Sequence, residues 1–177
     1  FVLTTSLRSM KVLDAALRVR LPAFPRLMQG DAPKAELLAR FRDNPRSVLV
    51  ATVSFWEGVD VPGQALRLVI LEKIPFSVPT DPLVRARALA IEEAGGNPFV
   101  EYFLPAAAIA LKQGFGRLIR TRDDTGIVAL LDERVHRRGY GQRLLASLPP
   151  ARRTDSFEAV TRFWRGCVAS MPPVDQT

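Results

Sequence analysis

The sequence predicts an α/β fold: a parallel sheet with helices on both faces. Apolar, β-prone runs alternate with helix-patterned segments, and the runs are continuously apolar, as expected of strands buried on both sides. The composition also suits a domain with a real core, with 47% hydrophobic and 24% charged residues in 177.

The elements follow in order. Phe1–Thr5 is a short buried-strand candidate. Arg8–Arg20 carries Met10, Leu13, Ala16 and Leu17 at helical spacing. Phe24–Met28 reads as a second strand, with Pro22 and Pro25 near its start. Pro33–Phe41 reads as a helix with Asp31 as its expected N-cap. Ser47–Val53 and Leu66–Ile74 are strongly apolar strands. Pro82–Ala94 is helical and stops at Gly95-Gly96. Phe99–Arg120 is a long helical pattern with a break expected at Pro105. Gly126–Leu131 is a further strand, and Tyr140–Ser147 and Phe157–Ala169 are the last helices. Pro149-Pro150 marks a late turn and Pro172-Pro173 a frayed tail. The expected organisation is a main domain over 1–148, with 149–177 a helix and tail packed on it.

Net charge is +7, and Arg outnumbers Lys. A solvated basic surface and a polyanionic partner both fit, and Arg offers a planar fork suited to phosphate. Cys167 is the only cysteine and His136 the only histidine. That excludes an internal disulfide framework and a cysteine-ligated zinc or iron–sulfur site within this chain. No apolar run approaches the roughly 20 residues of a membrane span. The chain starts without an initiator Met or a basic leader, which reads as a piece of a longer, reduced, cytoplasmic protein.

Ligands of parallel sheets bind at the carboxyl ends of the strands, so the loops after Thr5, Val53 and Ile74 are where chemistry is expected. Three constellations stand out. Val53–Gly63 follows a strand and is punctuated by Gly58, Pro62 and Gly63. Gly58 leaves room for a ligand beside the backbone, and Asp60 can accept a ribose hydroxyl. A plain turn with Phe55 and Trp56 covering the core explains the same residues. In Gln113-Gly114-Phe115-Gly116-Arg117-Leu118-Ile119-Arg120, helical spacing puts Gln113, Arg117 and Arg120 on one face. Two arginines on one face suit an anion such as a triphosphate, and Gly114 and Gly116 keep the approach open. The alternative is a solvated basic helix face, although each glycine costs a helix up to about 1 kcal/mol relative to Ala. Leu3-Thr4-Thr5-Ser6 ends the first strand, where hydroxyls and amides can hold a nucleic-acid phosphate or can cap the next helix.

No Gly-x-x-x-x-Gly-Lys-[Ser/Thr] loop and no Asp-Glu-x-His-type run occur. An arginine pair without these parts reads as half of an ATPase site, acting in trans across a cleft.

At these residues the chain resembles the C-terminal RecA-like domain of superfamily 2 DNA helicases of the DinG type, which are related to XPD. Phe55–Gly63 matches that family's motif V, and Gln113-x-x-Gly116-Arg117-x-x-Arg120 its motif VI. Leu3–Ser6 stands where motif IV would be, and Met28-Gln29-Gly30 resembles the stretch after it. The resemblance covers roughly Phe1 to Ser147. It implies a RecA-like fold lacking the phosphate loop, within an ATP-dependent DNA helicase of 5′-to-3′ polarity. It implies that Arg120 first, and Arg117 with it, reach the γ-phosphate, and that Gln113 orients their helix. Gly58, Asp60 and Gly116 would line the nucleotide cleft. Thr4, Thr5, Ser6 and Ser54 would contact single-stranded DNA. ATP with Mg2+ would be held mainly by a first motor domain in cis, which in many relatives also carries an iron–sulfur cluster. Two alternatives remain: a nucleic-acid-binding module of a nuclease, and a nucleotide-dependent metabolic enzyme. The absence of Gly-x-Gly-x-x-Gly after the first strand counts against the second.

Overall fold

The computed structural model describes residues 1–44, 46–56, 59, 61, 66–118 and 124–169. In chain order these form β1 (Val2–Thr4), α1 (Leu7–Arg20), β2 (Arg26–Met28), α2 (Lys34–Asp43) and β3 (Val48–Thr52). A 3₁₀ turn over Val53–Trp56 follows, then β4 (Leu68–Leu71) and α3 (Pro82–Glu93). A π turn over Phe99–Phe103 runs directly into α4 (Leu104–Leu118). β5 (Ile127–Leu130), α5 (Arg134–Arg137), α6 (Gly139–Ala146) and α7 (Phe157–Ala169) complete the order.

All five strands are parallel, in the order β2-β3-β1-β4-β5. Side chains alternate between the faces of a sheet, and the buried residues sort accordingly. Val2, Val50, Met28 and Ile70 face α1, where they meet Met10, Leu13 and Leu17. Leu3, Leu49, Ala51, Val69 and Leu71 face the other way, against Leu37 and Phe41 of α2 and Leu104, Leu111 and Leu118 of α4. This is the α/β architecture with both faces covered that the continuous apolar runs predict. Burying each such Leu or Val contributes roughly 1.5–3 kcal/mol, so the central strands dominate the stability of the domain.

Local chemistry sets the ends of the helices. Ser6 caps α1 by accepting the Ser9 N–H at 3.1 Å. Asp81 caps α3 by accepting from Leu83 and Val84, with Pro82 at the first helical position. Gly95 ends α3 at φ +81°, a left-handed conformation that suits glycine. The Gly95 and Gly96 amides then close back on the Glu92 and Ile91 carbonyls.

Three local expectations differ. Asp31 does not cap α2; its carboxylate accepts the Met28 N–H at 3.2 Å, closing a turn in which Gly30 sits at φ +103°. Pro105 does not break the long helix. The turn before it widens, with the Leu104 amide donating five residues back to Phe99, which accommodates a residue without an N–H. α5 carries no apolar period and was not expected. It starts where the Asp132 carbonyl accepts the Val135 amide and the Asp132 carboxylate accepts the Arg134 amide. The Pro172-Pro173 tail lies outside the described residues.

Candidate functional site at the strand ends

A parallel sheet gathers the carboxyl ends of its strands along one edge. Here that edge collects Thr5 and Ser6 after β1, Gln29 after β2, Ser54 after β3, Glu72 to Phe76 after β4, and Asp132 to Arg134 after β5.

On the β1–β3 side the edge is polar. Thr5, Ser6 and Ser54 are exposed. Gln29 Oε1 accepts from the Thr52 amide at 2.8 Å and from the Thr52 hydroxyl at 2.9 Å. The Thr52 and Ser54 hydroxyls lie 2.8 Å apart and share a hydrogen bond. Thr4 is different. It is fully buried, and its hydroxyl donates to the Ser6 carbonyl at 3.0 Å, bracing the turn into α1. Its neighbours Thr5 and Ser6 are the hydroxyls of that motif that face solvent.

On the β4–β5 side the edge opens into a cleft of about 610 Å³, whose lining includes Thr5, Lys73, Phe76, Phe99, Phe103 and Arg134. Phe76 and Phe99 form its aromatic wall, and Tyr140 from a third part of the chain backs them. Phe76 and Phe99 have ring centroids 5.7 Å apart, and Tyr140 packs against both, at 5.9 Å and 5.0 Å. The Arg134 guanidinium sits 5.4 Å from the Phe76 ring centre, within cation–π reach.

Asp132 holds this wall in place. It is buried, and its carboxylate accepts the Ile74 amide at 2.9 Å and the Arg134 amide at 3.0 Å. The Arg134 guanidinium adds a bidentate grip at 2.6 and 2.9–3.0 Å. Burial alone pushes a carboxyl's pKa up. The hydrogen bonds and charge of Arg134, with the Ile74 amide, outweigh that and hold Asp132 at about 2. Asp132 therefore stays ionised and ties the loop after β4 to the end of β5. Beside it, Glu72 has one carboxylate oxygen 3.3 Å from Lys73 Nζ.

The arginine motif is located differently. The Leu118 side chain packs against Gly126, which directly precedes β5, and the Ile127 amide donates to the Arg67 carbonyl ahead of β4. The end of α4 therefore lies at the amino ends of β4 and β5, opposite the hydroxyl and aromatic edge. Gln113 is exposed on α4. Gly116 has open space around the position a Cβ would take, consistent with an unobstructed approach. The Arg117 side chain, Arg120, Gly58 and Asp60 lie outside the described residues. Among the described residues, no helix is long and apolar enough to cross a membrane, and no group of three His, Cys, Asp or Glu side chains is placed to hold a metal.

Of this edge, Thr5, Ser6, Ser54 and the loop after Ile74 are legible in the sequence. Phe76, Phe99, Tyr140, Asp132 and Arg134 are not legible there as a group. The Lys73-Ile74-Pro75-Phe76 run directly after an apolar strand was the available signal.

A five-stranded parallel sheet with a polar and aromatic carboxyl edge, and the end of α4 at its other edge, is an α/β domain of the RecA-like class. The chain belongs to the helicase C-terminal domain family, which it matches over residues 1–151. It is 48% identical over 163 residues to the ATP-dependent DNA helicase YoaA of Escherichia coli, covering 92% of this chain and 26% of that protein. It is 44% identical over 148 residues to the ATP-dependent helicase DinG of Mycobacterium tuberculosis, covering 84% of this chain and 22% of the relative. It is 38% identical over 120 residues to a Bacillus subtilis protein named 3′-5′ exonuclease DinG, covering 68% of this chain and 13% of the relative. The chain thus spans about a quarter of the length of the helicases it matches.

Proposed function

We propose that this chain is the second motor domain of a cytoplasmic, ATP-dependent DNA helicase and holds single-stranded DNA along its carboxyl edge. The supporting observation is the aromatic-walled cleft, with Lys73 and Arg134 at its rim and the exposed Thr5 hydroxyl within it, in a helicase C-terminal domain. Aromatic rings give bases a stacking surface, and nearby cations and hydroxyls suit the phosphates. Ser6 and Ser54 extend the same edge. On this reading Arg117 and Arg120 act at the opposite edge, on ATP and Mg2+ held mainly by a first motor domain in cis. Gln113 orients their helix, and Gly58, Asp60 and Gly116 line that nucleotide face. The 5′-to-3′ polarity and any iron–sulfur cluster on the first domain rest on the family resemblance alone. We place the domain boundary at residue 148. Arg67 stacks on Trp164 at 5.9 Å, which agrees with α7 packing on the same body.

The relative named as an exonuclease supports a second reading, a nucleic-acid-binding module within a nuclease. Both readings place DNA on the carboxyl edge. A fluorescence-anisotropy titration of a labelled single strand tests that shared claim. The chain should bind weakly, with affinity falling steeply as salt rises. Phe76→Ala should weaken binding by roughly 5- to 160-fold, the loss of about 1–3 kcal/mol of stacking. Binding indifferent to both salt and Phe76→Ala would remove the cleft from the DNA path. Strand unwinding by a longer protein containing this chain then separates helicase from nuclease module.

A further inference from the structure

The residues following β5 carry a concentration of charge that neither the cleft nor the arginine motif accounts for. Between Arg134 and Arg153 stand Arg134, Arg137, Arg138, Arg143, Arg152 and Arg153, with no Asp or Glu among them. Three of the six have partners. Arg134 is taken by Asp132, and Arg137 pairs with Glu133 at 3.2 Å. Arg153 donates to the Leu145 carbonyl at 2.5 Å, folding the segment after α6 back onto the end of that helix. Arg138, Arg143 and Arg152 are exposed, and their side chains make no ion pair or hydrogen bond among the described residues.

These three arginines are not scattered. Arg138 is the extended residue immediately before α6 and Arg143 lies within it, while the Arg153 contact brings Arg152 near its far end. α6 is about 12 Å long at 1.5 Å per residue. Its first turn supplies Tyr140, which packs on Phe76 and Phe99 in the wall of the cleft. The three arginines therefore lie in and beside the helix whose Tyr140 packs on the cleft wall, and none of them lines the cleft itself. Like charges gathered in one segment without counter-charges repel, and an extended polyanion relieves that repulsion.

We infer that Arg138, Arg143 and Arg152 form a second phosphate-contacting track, which holds the backbone of the nucleic-acid strand beyond the nucleotides seated in the cleft. The inference rests on the proposed DNA path through the cleft. Its partner is the sugar-phosphate backbone, read by charge and without base preference.

The test compares two single strands with the 177-residue chain, one of about 4 nucleotides and one of about 16, the range that a single domain spans. The variants are the triple substitutions R138S/R143S/R152S and R138K/R143K/R152K, with circular dichroism to confirm folding. The serine variant should bind the long strand at least tenfold more weakly. Its log–log salt slope should fall by about 2, from roughly 0.7 per lost phosphate contact. The short strand should bind both variants as it binds the parent, and the lysine variant should keep most of the long-strand slope. An unchanged long-strand slope in the serine variant, in a parent that binds DNA, overturns the track while leaving the cleft reading intact. Equal losses on both strands also overturn it, because the arginines would then act within the cleft. A serine variant that loses binding to vesicles containing anionic phospholipid, but not to DNA, would assign the row to a lipid surface instead. A parent that binds neither strand defeats the cleft reading and the track together.

Discussion

Replacing Asp132 with alanine should destabilise the domain by about 3 kcal/mol, and the structure shows where the loss arises. The carboxylate is the acceptor for the Ile74 amide, a buried bond, and removing it strands that N–H at a cost of about 1–3 kcal/mol. The same carboxylate is held at a pKa of about 2 against an ordinary 3.8, worth about 2 kcal/mol at neutral pH. The two contributions overlap, since the Ile74 amide is one cause of the lowered pKa, and they do not sum in full. Arg134 loses its partner but is 39% exposed, so water compensates much of its charge. Asp132→Asn keeps an acceptor for Ile74 and loses only the charge, so it should cost less, about 1–2 kcal/mol. The sign with pH follows from a folded pKa below the unfolded one. The stabilisation is complete above about pH 4 and disappears as the pH falls towards 2. Urea unfolding followed by circular dichroism should therefore show a gap between the parent and Asp132→Asn that is constant at neutral pH and narrows below about pH 4. A loss under about 0.5 kcal/mol for Asp132→Ala, the range of an ordinary surface change, would refute the clamp. So would a parent-to-Asn gap that does not narrow with acid.

The other expectations are brief. The 177-residue chain alone, with saturating single-stranded DNA, should release no phosphate from ATP, because it has no phosphate-binding loop; sustained turnover would show a complete nucleotide site inside it. In a longer protein that hydrolyses ATP, Arg120→Ala should lower turnover by about 10³–10⁵ with the fold retained, and Lys should rescue poorly because a point charge does not replace a bidentate fork. Turnover within a few-fold of the parent would make Arg120 a solvated helix charge. Leu49→Ala, at a fully buried position in β3, should cost about 2–5 kcal/mol in the same unfolding assay; a cost below 1 kcal/mol would show a core that repacks freely.

The strands were legible because each is short, apolar and flanked by helical spacing, but their limits were not. The apolar run Leu66–Ile74 extends past β4 at both ends, and Leu66 and Ile74 are both buried to 1% exposure while lying outside the strand. Burial follows from the core, whereas strand pairing follows from the register with β1 and β5, and an apolar run reports only the first. Asp31 misled for a related reason: an acidic residue before a helical run can cap it or close a preceding turn, and Gly30 decided for the turn. The site was half legible. Hydroxyls after β1 and β3 stand at predictable strand ends. Phe76, Phe99 and Tyr140 meet only because α4 and α6 pack together beyond β5, which one-dimensional spacing does not report. Thr4 and Thr5 look equivalent in sequence, yet Thr4 closes a strand buried on both faces and Thr5 lies just beyond it in solvent.

The separation of the two edges suggests how the proposed motor would use its fold. β5 is four residues long, about 13 Å at 3.3 Å per residue. At its amino end lies the close of α4, the helix that carries Gln113 and the arginine motif. At its carboxyl end Asp132 grips Arg134 and the Ile74 amide, and so the aromatic cleft. A paired strand is stiff along its length, and β5 is bonded in register to β4 at four successive positions. On the proposed reading, movement at the end of α4 against bound nucleotide is delivered to the DNA edge through this strand. The Asp132 clamp is then the joint at which the displacement reaches the cleft wall. A joint with this role has to remain ionised throughout neutral pH, and a carboxyl held near 2 by a bidentate arginine meets that requirement with a wide margin.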